Sequence, residues 1–249
     1  MNAAARNPAF LERAAAIIPT LDEAGSIGAV VKDLLAAGIA ETIVADGASR
    51  DGTAEIARAA GARVVTLTEP GYGRACATGA AAASEVRDIL VFLDGDGADR
   101  ADLVARLVEP IAAGTHDFVI ASRTQGEREP GSMSAHQVAA GYLAGLLMGA
   151  LYGVRYSDMC AFRAIRRASL VGLGMRETGY GWNIEMQMLA ARRHLRILEV
   201  PLAYRRRAAG KSKVAGSLAG TLRAGTRILL TCARIMTSPA PWQAGPQSR

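Results

Sequence analysis

The chain predicts an α/β protein with a mostly parallel sheet flanked by helices. Short apolar runs alternate with helix-length amphipathic segments from residue 14 onward, and several of the runs empty directly into clusters of Asp and Gly. Strands that are each followed by a helix form βαβ units, and the crossovers cover a parallel sheet. Composition agrees: 249 residues, 50% hydrophobic and 21% charged, with 27 glycines and 9 prolines, suit a globular chain and exclude collagen-like or wholly disordered ones. Single cores stop growing at roughly 250 to 300 residues, so the length suits one large domain or two small ones.

In chain order, 14–18 is the first strand and 27–37, with Ile, Val and Leu at helical spacing, the first helix. The unit repeats as strand 42–45 and helix 53–60, strand 63–67 and an Ala-rich helix 74–85, strand 89–93 and helix 101–113, then strand 118–121. Beyond this the pattern loosens. Loop 124–134 leads to the apolar stretch 138–154, then come strand 162–165, a helix near 184–193, and strand 196–200 running into Pro201. From 217 to 237, Leu218, Leu222, Leu229 and Ile235 alternate with Arg223, Arg227 and Arg234, the pattern of an amphipathic helix. The expected plan is an N-terminal extension 1–13, a main domain 14–215 in two halves (14–121 and 122–215), an amphipathic helix 216–237 and a disordered tail 238–249.

The net charge of +6 is unevenly placed: residues 1–154 hold 12 Lys and Arg against 19 Asp and Glu, whereas residues 155–249 hold 17 against 4. The first part is therefore at −7 and the second at +13. Of the 29 basic residues 26 are Arg, the side chain that grips phosphate and carboxylate bidentately, so a phosphate-bearing partner is expected. A nucleic-acid-binding module is a distant alternative, disfavoured by sparse aromatics and acidic strand ends. Cys76, Cys160 and Cys232 lie far apart with no CxxC, which indicates neither a disulfide framework nor a zinc site and suits a reducing compartment. MNAAARNPAFLER lacks the apolar core of a secretory signal. The 138–154 stretch is Gly-rich and short of the ~20 residues of a spanning helix, so it reads as a buried or membrane-apposed helix.

Three strand ends carry carboxylates: IPTLDE with Asp22 and Glu23, DGASRDGT with Asp46 and Asp51, and DGDG with Asp94 and Asp96. In parallel α/β sheets, ligands bind beyond these carboxyl ends. Asp94-Gly95-Asp96 leaving a buried strand offers hard oxygen ligands suited to Mg²⁺ or Mn²⁺ shared with a substrate diphosphate. A calcium loop is excluded because the twelfth position from Asp94 is Ala105. No GxxxxGK[ST] is present, and Gly71-Tyr72-Gly73 lacks the third glycine of a dinucleotide fingerprint.

These motifs, with SDMCAFRA at 157–164, GYGWNIE at 179–185, EVP at 199–201 and RAAGKSK at 207–213, resemble the family 2 glycosyltransferases of GT-A fold. Within that family the set is similar to the dolichyl- and polyprenyl-phosphate mannose and glucose synthases and their bacterial relatives, over roughly 14–230. The resemblance implies a Rossmann-like nucleotide-sugar half and an inverting, metal-dependent transfer of a hexose from a UDP- or GDP-sugar to a polyprenyl phosphate. A soluble or other hydroxyl acceptor is the alternative.

On this sequence the resemblance implies that Pro19, Glu23 and Asp46 line the nucleotide pocket, with Asp46 accepting from the base. Asp94 and Asp96, joined by Gly95, hold Mg²⁺ or Mn²⁺, with Asp96 the closer ligand, and Arg123, Arg207, Lys211, Ser212 and Lys213 bind donor or acceptor phosphates. Asp158 and Glu185 are candidate general bases for a hydroxyl acceptor; a phosphate monoester, already ionised near pH 7, needs none, and the two acids would then orient Arg and Lys partners. Departures from the family pattern are Asp22 for Asn, Ala48 and Arg50 within DGGSTDGT, Ala98 near the metal, and Ala161 before Phe162. For a second acceptor-loop arginine, Arg128 and His136 are the candidates. The expected location is cytoplasmic, peripheral at the inner face of the cell membrane, with the apolar helices touching bilayer or a second copy.

Overall fold

The computed structural model describes residues 8–209 and 218–238. In chain order its elements are β1 (Ala14–Thr20), α1 (Ile27–Ala37), β2 (Glu41–Asp46), α2 (Thr53–Ala59), β3 (Arg63–Thr66), α3 (Tyr72–Ala82), β4 (Ile89–Phe92), α4 (Ala105–Ala112) and β5 (Phe118–Ser122). They continue with α5 (Ala135–Tyr152), β6 (Arg163–Arg166), α6 (Arg167–Leu173), α7 (Trp182–Arg192), β7 (Ile197–Pro201) and α8 (Leu218–Thr237). The strands form one seven-stranded sheet in the order β3-β2-β1-β4-β6-β5-β7. Pairing is parallel except at β6, which runs antiparallel to both β4 and β5.

β1 lies inside the sheet with all seven residues buried, the continuous burial of a strand covered on both faces. Its register pairs Thr20 with Asp46, so the first two motif-bearing ends emerge side by side. The β4 end emerges on the other side of β1, across the pairing of Ile17 with Phe92. Helix α3 sits very close to β1: a Cβ at Gly79 would stand 2.5 Å from Ile17 Cγ2, so only glycine lets the helix approach this far. The core runs from Ile17 and Ile43 through Val91 to Phe118 and Ile165.

Several boundaries differ from expectation for identifiable reasons. Residues 9–13 form a 3-10 turn rather than a detached extension: Leu11 is fully buried, and Arg13 Nη1 donates to the Ala112 carbonyl at 3.1 Å. Helix α5 starts before residue 138 because Ser134 caps it, its amide donating to Gln137 Oε1 at 2.9 Å. The seven-residue α6 was not expected, being too short to show a helical period; Arg167 on it donates to the carbonyls of Arg87 and Ser84, each at 2.8 Å.

Helix α8 is tied to the domain through two of its arginines. Arg227 Nε donates to Glu177 at 2.8 Å and Arg234 to Glu185 at 2.6 Å, so these cations face the domain. Leu229, Leu230 and Met236 are left exposed instead. Among the described residues no helix is long and apolar enough to cross a membrane.

Candidate active site

A cleft of about 730 Å³ opens beyond the carboxyl ends of β1, β2, β4 and β5. Its walls include Pro19, Glu23, Gly47, Tyr72, Asp94, Gly95, Asp96, Arg123, Tyr204 and Arg207. Seven of the sequence-predicted residues are thus brought together: Pro19, Glu23, Asp94, Gly95, Asp96, Arg123 and Arg207. Asp46, Asp158 and Glu185 stand behind the walls. Lys211, Ser212 and Lys213 lie outside the described residues.

The β1 and β2 loops are stitched to each other. Asp46 takes the Thr20 hydroxyl at 3.1 Å and the Ser49 amide at 3.0 Å, while the Asp22 amide donates to Ser49 Oγ at 2.8 Å and the Arg50 amide to Asp22 Oδ1 at 2.9 Å. Asp22 and Ala48 have left-handed backbone, with φ of 51° and 64°. Asp at 22 thereby does what Asn does, tolerating that conformation and presenting an acceptor oxygen. Ala48 carries a Cβ where glycine fits without strain. In this geometry Asp46 braces the loop behind Gly47, the residue that lines the cleft.

After β4 the chain turns sharply through the carboxylate pair. The Ala98 amide donates to Asp96 Oδ1 at 2.9 Å, Ser26 Oγ to the Gly95 carbonyl at 2.7 Å, and the Tyr72 hydroxyl to Asp94 Oδ1 at 3.2 Å. Burial, then the neighbouring charge of Asp96, pushes the Asp94 carboxyl up to about 6. Asp99, also buried, accepts from the Asp94 amide at 3.3 Å and is pushed up to about 8, by burial first and by Asp94 and Asp96 next. Such crowding of negative charge calls for cations, and one is present: Arg207 Nη2 lies 2.8 Å from Asp96 Oδ2, and its Nη1 lies 2.9 Å from Glu23 Oε1.

The donor set fits a divalent ion of the Mg²⁺ or Mn²⁺ kind. Its oxygens are hard carboxylates, and among the described residues no group of three or more His, Cys, Asp or Glu side chains forms a cage. Ions of this kind are commonly held by one or two carboxylates, with water and substrate phosphates completing the shell.

Arg123, also on the cleft wall, is held on several sides. Asp158 takes its Nε and Nη2, each at 2.7 Å, and its amide at 2.9 Å, and the guanidinium lies 5.1 Å from the Tyr204 ring centroid. Tyr156 and Gln187 extend the support: Gln187 Nε2 donates to the Asp158 carbonyl at 3.0 Å and Tyr156 Oη to the Gln187 carbonyl at 3.1 Å. The candidate bases are both committed elsewhere. Asp158 serves Arg123, and Glu185 takes Arg234 at 2.6 Å and the amides of Arg176 and Glu177 at 3.1 and 2.7 Å. Both are almost fully buried. Neither carboxylate lines the cleft; each holds an arginine, the arrangement expected of them if the acceptor is a phosphate rather than a hydroxyl.

Sequence reasoning missed Tyr72, Asp99, Tyr204 and Arg206. Tyr204 and Arg206 adjoin Arg207 in YRRR, so the cluster was visible, but only tertiary structure lays this strap over the cleft. The Arg205 amide donates to the Ala98 carbonyl at 3.0 Å and the Ala208 amide to the Asp96 carbonyl at 2.9 Å. Arg206 reaches the other way, its amide donating to Glu129 Oε2 at 2.8 Å and its Nε to the Pro130 carbonyl. Like Arg123 it lines the cleft, whereas sequence reasoning sought a second arginine at Arg128 or His136.

Comparison with known proteins agrees with this geometry. Residues 15–173 match the model described as "Glycosyl transferase family 2". The dolichyl-phosphate hexose transferase of Haloferax volcanii is 34% identical over 222 residues, covering 88% of this chain and 93% of that protein. Glycosyltransferase AglJ of the same organism is 31% identical over 189 residues, 76% of this chain; the match spans 61% of AglJ's own length. Among solved structures, glucosyl-3-phosphoglycerate synthase of Mycobacterium tuberculosis, in complex with Mn²⁺, UDP-glucose and phosphoglyceric acid, superposes with a TM-score of 0.66 at 25% identity, covering 88% of this chain and 79% of that one. With a GT-A sheet, an acidic pair at the end of β4 and these relatives, the chain belongs to glycosyltransferase family 2.

Proposed function

We propose that the chain moves a hexose from a UDP- or GDP-sugar to a polyprenyl phosphate, with inversion at the anomeric carbon. The observation that carries this reading is a single cleft whose wall holds both the carboxylate pair Asp94 and Asp96 and an arginine, Arg123, fixed in place by Asp158. The nucleoside half of the donor rests against Pro19, Leu21 and Gly47, and Asp94 and Asp96 hold Mg²⁺ or Mn²⁺. When bound, that ion neutralises charge developing on the leaving diphosphate. Arg207 contacts phosphate from the strap, and Lys211, Ser212 and Lys213, which follow it in the sequence, bind phosphate as well.

Arg123, fixed by Asp158, orients the acceptor phosphate, and Arg206 adds a second positive group. An ionised phosphate oxygen attacks the anomeric carbon while the bond to the diphosphate oxygen breaks, so no proton need be removed. The engagement of Asp158 and Glu185 by arginine supports an acceptor of this kind. So does the dolichyl-phosphate hexose transferase, whose name carries a lipid phosphate. The exposed Tyr142, Leu143 and Leu146 of α5, together with Leu229 and Leu230 of α8, would meet the bilayer at the cytoplasmic face.

A soluble acceptor is the second reading, favoured by the mycobacterial neighbour's phosphoglyceric acid. The test is transfer from radiolabelled UDP- and GDP-hexoses with Mn²⁺, comparing undecaprenyl phosphate in phosphatidylglycerol vesicles with 3-phosphoglycerate in solution. Label in the organic extract supports the lipid reading and label in the aqueous product the soluble one. Transfer to neither, with no nucleotide raising the melting temperature, would overturn the proposal.

A further inference from the structure

Arg207 stands where a cation is needed, and it is made of the protein itself. Its guanidinium bridges Asp96 Oδ2 at 2.8 Å and Glu23 at 2.9 and 3.1 Å. The strap that carries it is tied by backbone bonds on either side, Arg205 to Ala98 and Ala208 to Asp96, so the side chain can leave without the strap unfolding. A planar fork on a carboxylate oxygen and a divalent ion on the same oxygen compete for one position.

We propose that Arg207 is the resident counter-cation of the carboxylate pair, and that arginine and divalent metal exclude each other at Asp96. A nucleoside diphosphate attracts Arg207 to its phosphates and thereby opens the metal position. Metal and nucleotide then bind with positive coupling, each raising the other's affinity by the same factor. With no nucleotide present Arg207 offsets part of the negative charge at Asp96 and Glu23, and metal alone binds weakly. This rests on the proposed metal-assisted donor site and adds to it a mechanism for ordered loading.

The experiment is titration of the full chain with Mn²⁺, following the free-ion paramagnetic resonance signal, with and without UDP or GDP. Wild type should bind Mn²⁺ at least about 10-fold more tightly when the nucleotide is present, within the usual range of coupling between sites. Arg207→Met should bind Mn²⁺ alone about 10-fold more tightly than wild type, and the gain from nucleotide should shrink. Arg207→Lys, which keeps a cation on the strap, should return towards wild type. Asp96→Asn should abolish the binding in every background.

If Arg207→Met binds Mn²⁺ alone no better than wild type while Asp96→Asn still loses it, the metal site stands and the exclusion by Arg207 falls. Absence of Mn²⁺ binding in all forms, with or without nucleotide, overturns both. Should Arg207→Met not fold, the test passes to Arg207→Gln, judged by the same Mn²⁺ titration.

Discussion

Residues 14–121 and residues 122–209, with α8 docked on them, handle buried acid in opposite ways. In the first part, Glu23, Asp94 and Asp96 line the cleft, and burial, with the neighbouring charge of Asp96, lifts the Asp94 carboxyl to about 6. In the second part, every one of the four acids of residues 155–249 is consumed inside the fold. Asp158 holds Arg123, Glu177 holds Arg227, Glu185 holds Arg234, and Glu199 takes the Ser157 amide at 2.9 Å. Three acids of the first part thus face the cleft, while others there, such as Asp46 and Asp117, serve the fold; all four acids of residues 155–249, the stretch at +13, aim arginines or pin backbone.

Removing a presented carboxylate should damage chemistry far more than stability. Asp96→Ala is expected to lower kcat/KM by about 10³-fold, the order seen when a group stabilising transition-state charge is lost, while far-ultraviolet circular dichroism stays unchanged. A variant retaining a tenth or more of wild-type activity would break the comparison. The reverse holds for a consumed carboxylate: Asp158→Ala leaves Arg123 without its partner and should cost about 3 to 5 kcal/mol in urea denaturation. Asp158→Asn sharpens the point, because loss of aim should raise the acceptor KM with kcat largely kept. A collapse of kcat at constant KM would make Asp158 a base after all.

Smaller effects test the scaffolding of each side. A Cβ at Gly145 of α5 would stand 1.7 Å from the Tyr156 carbonyl, so Gly145→Ala should force the helix off the 153–156 segment and destabilise by about 1 to 3 kcal/mol. Ala48→Gly should go the other way. Relief of its left-handed backbone (φ 64°) is worth about 1 kcal/mol, read as a raised melting temperature. An unchanged or lowered melting temperature would show that the loop bears no strain.

The smallest expected effect concerns acid stability. Hydrogen bonding from Arg196 holds the Asp117 carboxyl below its ordinary range, so this pair stabilises the fold above the unfolded-state pKa and the contribution fades as pH falls through the folded value. Arg196 is more than half exposed, so solvent screens the pair and its contribution is small. Asp117→Asn should therefore lower stability slightly at neutral pH and narrow its difference from wild type below about pH 4.

Much of the first part was legible because its signals are local. The apolar runs that became β1, β2 and β4 end in the Asp-rich turns, and strand period and turn chemistry place those turns at the sheet's edge. The second part resisted because its decisive relations are long-range. Arg123 and Asp158 are 35 residues apart, and Glu23 and Arg207 are 184 apart. No periodicity connects such partners. The antiparallel insertion of β6 likewise depends on which sheet edge was open, and α6 is too short to announce itself.

By itself, then, the sequence determined the alternation of strand and helix and the identity of the carboxylates at the strand ends, since both follow from the chemistry of neighbouring residues. Tertiary structure alone decided which acids remain facing the cleft and which are spent on arginines. An ion pair forms where packing brings two side chains within about 3 Å, and burial makes that choice costly to reverse. The strap from Tyr204 to Arg207 belongs to this second class: its arginines were visible as charge, and only the fold set one of them on Asp96 and another on the cleft wall near Glu129 and Pro130.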